Sequence, residues 1–302
     1  MSRLTSLLRQ MPDSVRPFLR YDHRPVLTSA CLDVSSWRLP EPEIVSVQYH
    51  DTITYPEHIA VLHDKIIVSG LDGATLDHFD NAPSVFRDYY LHNNLRDLRD
   101  LKTIHGKLMV FPRSSYLYLD NERIDLQNDT GKCVCVTPNG FVVLTLAPVE
   151  SIHGHVPGML LFYEQGVYTH MVLTPHTWQS MTWVGEREVA FAATRLLKGI
   201  AEVSLLSIDG MILKTLSTSV GKSIMGFSVL YDPVWEEYLI SGNRNIMMIS
   251  DRGARLIYQY DSTENSYYLY ALTWQEKKYE QTNRMLLFCI RNKNLLVQME
   301  IK

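Results

Sequence analysis

An all-β fold assembled from repeated antiparallel sheets is what this sequence predicts, on three observations. Apolar strands separated by polar turns that close on glycine recur along the chain. Pairs of strands begin again roughly every 40–45 residues, the spacing of a four-stranded unit. Segments of helical periodicity are too few for a doubly wound α/β fold. Together these describe a six-bladed β-propeller. The 302 residues allow one large domain or two small ones, and with 46% apolar and 21% charged residues the chain has material for a full core. Global disorder is excluded.

The repeat shows best in three stretches that stack on one another: Leu160 to Tyr168, Ser204 to Ile212 and Met247 to Arg255. Each reads as a strand, a polar turn ending on Gly166, Gly210 or Gly253, and a second strand. Glycine suits a turn position that needs positive φ. Weaker copies run from Leu117 to Ile124 and from Leu71 to Phe79. Each copy follows another strand pair. The pairs are Ile59–Val61 with Lys65–Val68, Leu101–Ile104 with Lys107–Phe111, and Cys133–Val136 with Phe141–Leu146. They continue with Met181–Val184 and Glu188–Ala192, Phe227–Tyr231 and Glu237–Ser241, and Tyr270–Trp274 and Met285–Ile290.

That makes six repeats, the last ending on its third strand at Asn294 to Ile301. An open sheet edge is a liability, so the missing outer strand is assigned to Ile44–Tyr49, which alternates cleanly. The expected organisation is an N-terminal extended or helical arm over residues 1–43 and a propeller over 44–302, closed by that N-terminal strand. Leu91, Leu95, Leu98 and Leu101 have helical spacing and predict a helical excursion between the first two repeats. A seven-bladed ring using residues 20 to 50 and a two-domain β protein are the alternatives.

Composition narrows the function. A formal charge of −4 argues against a general polyanion binder. The longest apolar run, Phe141 to Val149, is far short of the ~20 residues of a spanning helix. Arg9 and Pro12 interrupt the leucines near the N-terminus, so no secretory signal is read there. The four cysteines, Cys31, Cys133, Cys135 and Cys289, are too few and scattered for a disulfide scaffold. Free thiols without an export signal point to the cytoplasm or the nucleus.

One repeat position carries a recurrent charge. Just after the second strand stand Arg113, Arg195, Arg244 and Arg291, with Lys198 and Lys293 close by. Equivalent turns of a propeller converge on one face around the channel. The planar guanidinium fork matches carboxylate and phosphate, so these residues are the expected partner-binding face. The competing role is to tie each blade to its neighbour through a carboxylate. Trp235 and Trp274, in the hairpins of the last two repeats, are expected as exposed anchors for a partner.

Other constellations are weaker. His153 and His155 could chelate a metal from an extended strand, but no third ligand is evident, and no cofactor is expected. Cys133 and Cys135 share one strand face and read as small core residues. No nucleophile elbow, zincin motif or phosphate loop occurs, and Ser207-Ile208-Asp209-Gly210 has the wrong spacing for a sialidase Asp box.

The stretch Leu239 to Ser250, with its Gly242-Asn243-Arg244 turn, resembles an NHL-type repeat. The resemblance is fair around Ala192 to Gly210, and the His that commonly precedes the turn Arg is missing, because Asn243 abuts Arg244. NHL repeats form six-bladed propellers in tripartite-motif and related proteins, so the resemblance implies architecture. No RING or B-box ligand pattern and no Trp-Asp signature accompanies it.

The expected function is therefore a non-enzymatic interaction scaffold, a subunit of a complex with no membrane contact, docking an acidic or phosphorylated protein. Two alternatives are an RNA-binding NHL-like propeller, whose binding would be strongly salt-dependent, and a metal-dependent propeller lyase or hydrolase.

Overall fold

Alternating apolar and polar residues, broken by short turns, pull the chain into consecutive antiparallel strands. A computed structural model of the protein describes residues 42–52, 55–62, 65–70, 73–75, 98–120, 122–127, 131–147, 157–195, 201–218, 228–260, 269–275 and 284–302. Strand β1 (Ile44–Asp51) comes first, followed by β2 (Pro56–Leu62), β3 (Lys65–Gly70) and β4 (Gly73–Thr75), which form a three-stranded sheet. Next come β5 (Leu98–Ile104), β6 (Lys107–Pro112), β7 (Tyr116–Leu119) and β8 (Glu122–Asp125), then β9 (Gly131–Thr137), β10 (Gly140–Leu146), β11 (Gly158–Glu164) and β12 (Val167–Thr174). The fourth sheet is β13 (Ser180–Glu186), β14 (Val189–Thr194), β15 (Ala201–Leu206) and β16 (Ile212–Thr218). The fifth is β17 (Ser228–Asp232), β18 (Glu237–Ser241), β19 (Asn245–Ser250) and β20 (Gly253–Gln259). The last is β21 (Leu269–Gln275), β22 (Arg284–Ile290) and β23 (Leu295–Ile301), to which β1 is added.

The protein is an all-β propeller. Each sheet's first strand lies against the first strand of the next, and β21 comes back to β2. Apolar side chains fill the space between neighbouring sheets. Phe141 stacks on Tyr163 with centroids 4.9 Å apart in the core shared by the second and third sheets. Between last and first, Leu287 and Cys289 meet Ile59 and Val68.

The expected N-terminal strand pairs with the C-terminal one: Val47 faces Met299 and Tyr49 faces Val297. Glu43 and Lys302 exchange backbone hydrogen bonds of 3.2 and 2.9 Å and extend the ladder. Glycine geometry follows the repeat, with φ of +81° at Gly166, +72° at Gly210 and +124° at Gly253. A β-carbon on Gly140 would lie 2.0 Å from the Tyr163 carbonyl oxygen, so the second and third strands of that blade need a residue without one.

Two expectations change. Five sheets, not six, have the four strands of a complete blade, because the first repeat contributes three strands among the described residues. The expected copy from Leu71 to Phe79 lies outside them from residue 76 onward. Leu98 and Leu101 are not helical: they are buried on β5, where strand pairing with Pro112 and Val110 overrides their helical spacing. The rest of that expected helix, and the arm up to residue 41, lie outside the described residues. No helix among the described residues is long and apolar enough to cross a membrane.

Candidate functional site

The starts of the first strands lie side by side. His58 Nε2 donates to the Leu98 carbonyl at 3.1 Å. Val134 N donates to Asp100 Oδ2 at 2.8 Å, Val229 N to Ser180 Oγ at 3.3 Å and Leu272 N to Ser228 Oγ at 3.3 Å. Since each second strand is antiparallel to its first, the second strands finish at this same end of the ring. Arg113 follows β6, Arg195 follows β14, Arg244 lies between β18 and β19, and Arg291 follows β22. The four arginines thus share one end.

Their surroundings differ. The turn after β14 is fastened twice to Glu202, as Thr194 Oγ1 donates to its carbonyl at 2.9 Å. Arg195 Nε and Nη2 reach Glu202 Oε1 at 3.0 and 2.6 Å, and its guanidinium lies 5.8 Å from the centre of the buried Trp178 ring. Arg291 spans the junction of last and first sheets, 2.7 Å from Glu57 Oε1 and 5.7 Å from the Tyr55 ring. Arg195 is thus tied within its own blade, and Arg291 joins the last blade to the first. Arg113 and Lys293 are exposed, and Arg244 is half-buried. Lys198, His153 and His155 lie outside the described residues. Among the described residues, no group of three or more His, Cys, Asp or Glu could hold a metal ion.

The tryptophan expectation is corrected. Trp235 is 8% exposed, packed into the core of the last two blades with Arg255 6.0 Å from its ring. Trp274 is half-buried, its Nε1 donating to the Tyr231 carbonyl at 3.2 Å while Arg284 lies 4.6 Å from its ring. Arg284 is in turn ion-paired with the buried Asp232. Both indoles fill space where the strands turn, at the end opposite the arginines.

A group that sequence reasoning missed lies along the channel: His58, Asp100 and Lys102. Asp100 accepts from Val134 N and, at 2.9 Å, from Leu101 N. Lys102 Nζ is 3.6 Å away and His58 Nδ1 is 3.8 Å away. Burial lowers the His58 pKa against the raising pull of Asp100 and Glu57, which favours the neutral ring. Burial also opposes the charge on Lys102, but Asp100 and the nearby thiols outweigh it, so its pKa rises and it remains a cation. Burial pushes the Cys133 thiol up to about 12 and the neighbouring Cys135 thiol higher still. The i, i+2 spacing of Asp100 and Lys102 on one strand was the available signal.

Comparison with known proteins places the fold and no more. No family model matches the chain, so the NHL resemblance has no support beyond the propeller architecture. No curated protein matches either. Among solved structures, one described as a “putative gluconolactonase” is similar over 85% of this chain and 93% of its own, with TM-score 0.53 and 12% identity. The β-propeller domain of Cps50 (Swd1) from Myceliophteria thermophila is similar over 84% of this chain and 88% of its own, with TM-score 0.46 and 11% identity. The expectation of a non-enzymatic protein is corrected by the first of these. A propeller described as an enzyme shares this fold, so the architecture gives no ground for setting catalysis aside.

Proposed function

We propose that the arginine-bearing end of the ring binds an acidic or phosphorylated segment of a protein partner. The observation that carries this reading is the difference in exposed charge between the two ends, among the described residues. Away from the arginines, the described turns expose Glu122, Glu164, Glu186, Glu188, Asp209, Glu236 and Asp251, with Lys107, Arg187 and Arg252 among them. Among the described residues, the other end exposes Arg113, Lys132 and Lys293 together with Asp51 and Asp125, and its half-buried Glu57 and Glu202 are paired with arginine. A ring whose turns are more acidic at one end than at the other orients a negatively charged partner toward the arginine-bearing end.

The test is fluorescence anisotropy with a labelled glutamate-rich dodecapeptide, its phosphoserine counterpart and an RNA oligomer of equal charge. Arg113→Glu with Lys293→Glu should weaken peptide binding about tenfold or more, while Glu164→Lys at the far end should not weaken it. Unchanged peptide binding in the double variant would overturn the reading. Tighter binding of the RNA, with a steep salt dependence, would replace it with nucleic-acid recognition.

A further inference from the structure

The channel offers a second site, of another kind. Between the first strands lies a cavity of about 680 Å³, within the ~300–1,000 Å³ of small-molecule pockets. Its walls are mixed: Val61, Val136, Leu230, Trp183 and Trp274 supply apolar surface, and Thr103, His105, Thr182 and Thr273 supply polar side chains. Lys102 is the one Lys, Arg, Asp or Glu among the described residues that lines the cavity. Its side chain is 34% exposed and that of Asp100 is 8% exposed. Asp100 lies outside the lining, both its oxygens accepting backbone N–H groups. The pair is therefore polarised: the carboxylate is fixed in the wall, and the ammonium, with three donors and one neighbour at 3.6 Å, borders the space.

We propose that the channel binds a small organic monoanion, a carboxylate borne on a flat apolar body, with Lys102 as its counter-ion. A cationic ligand would meet an ammonium and no accessible carboxylate. A dianion would find a single cation, already half-compensated by Asp100. An inorganic anion would leave the Val, Leu and Trp side chains of the wall without a partner, whereas an apolar body covers them. The site is independent of the basic end, and neither Arg113 nor Lys293 lines it.

The experiment titrates the full chain with phenylacetate, phenylacetamide and phenethylamine, followed by tryptophan fluorescence and calorimetry. Phenylacetate should bind about tenfold or more tighter than the amide. Lys102→Met should abolish that advantage, and Thr273→Phe, which narrows the cavity and keeps the Lys102 and Asp100 side chains, should weaken phenylacetate about tenfold. Thr273→Phe decides the matter if Lys102→Met does not fold. The proposal falls if acid and amide bind alike, if the amine binds best, if no probe binds up to ~10 mM, or if Thr273→Phe leaves phenylacetate affinity unchanged.

Discussion

Replacing Asp100 by alanine tests whether the channel carboxylate holds two blades together. Its Oδ2 accepts from Val134 N on the next sheet at 2.8 Å, and its Oδ1 accepts from Leu101 N at 2.9 Å. A hydrogen bond to a charged group contributes about 1.5–3 kcal/mol, and a buried N–H left unpaired costs about 1–3. These overlap for Val134 and do not add in full. Leu101 adjoins Asp100 in sequence, so its bond orders little chain. Lys102 is a third exposed, so its lost partner is largely replaced by water and contributes little. Asp100→Ala should therefore destabilise the fold by about 3–4 kcal/mol, at the low end for breaking a buried pair. Asp100→Asn keeps one acceptor for Val134 and should cost about half as much. Urea unfolding followed by tryptophan fluorescence and far-ultraviolet circular dichroism measures this, provided the two probes coincide and the slope stays constant. A loss below ~1 kcal/mol for Asp100→Ala, or equal losses for alanine and asparagine, would refute the staple.

The remaining predictions separate structural from surface roles. Arg195→Ala, which strips Glu202 and Trp178 of their cation, should cost about 1–3 kcal/mol, and Arg113→Ala on an exposed turn less than ~0.5 in the same melts. Tyr49→Phe removes the 3.1 Å hydroxyl contact between β1 and Tyr258 and should cost about 0.5–1.5 kcal/mol. It should also bring the Tyr258 ionisation down, because burial and then that contact raise it. His58 is held below its ordinary pKa by burial, so on acidification the unfolded chain takes up the proton first. Stability should fall as the pH drops below about 6.5, the fall should end once His58 itself protonates, and His58→Gln should flatten this segment of the profile. In a Cys31→Ser background, Cys133, Cys135 and Cys289 should react with a thiol reagent only as fast as the protein opens, since burial raises all three.

The strands were legible because one physical pattern dictates them. Half-buried strands alternate, turns need glycine or polar residues, and the pattern repeats, so weak local signals reinforce one another. Closure of the last blade by Ile44–Tyr49 was legible for a related reason: a three-stranded end and an unassigned alternating strand complete each other. Leu98 and Leu101 failed as helix predictors because leucines spaced by three or four residues fit either element until a partner strand chooses. Trp235 and Trp274 failed because a hairpin position says nothing of what packs against it, and Arg255 and Arg284 lie over those rings. The His58–Asp100–Lys102 group could not be seen as a group, since two blades contribute to it and only the ring brings β2 and β5 together.

The turn arginines show how one repeat position divides its uses. Each inherits its place at the end of a second strand from the fold, whatever it later touches. Where a carboxylate stands within reach, as Glu202 does for Arg195 and Glu57 for Arg291, the guanidinium becomes a tie and its field is cancelled locally. An approaching partner also meets the exposed Arg113, which holds the same repeat position, and the exposed Lys132 and Lys293, which do not. Of the four arginines, Arg291 joins two blades and Arg195 braces its own. The charge difference between the two ends, to which they add without carrying it alone, is the feature a partner would read. A quadruple arginine-to-alanine variant would confound the two by unfolding the protein, whereas reversing only the exposed pair changes the field and leaves the ties in place.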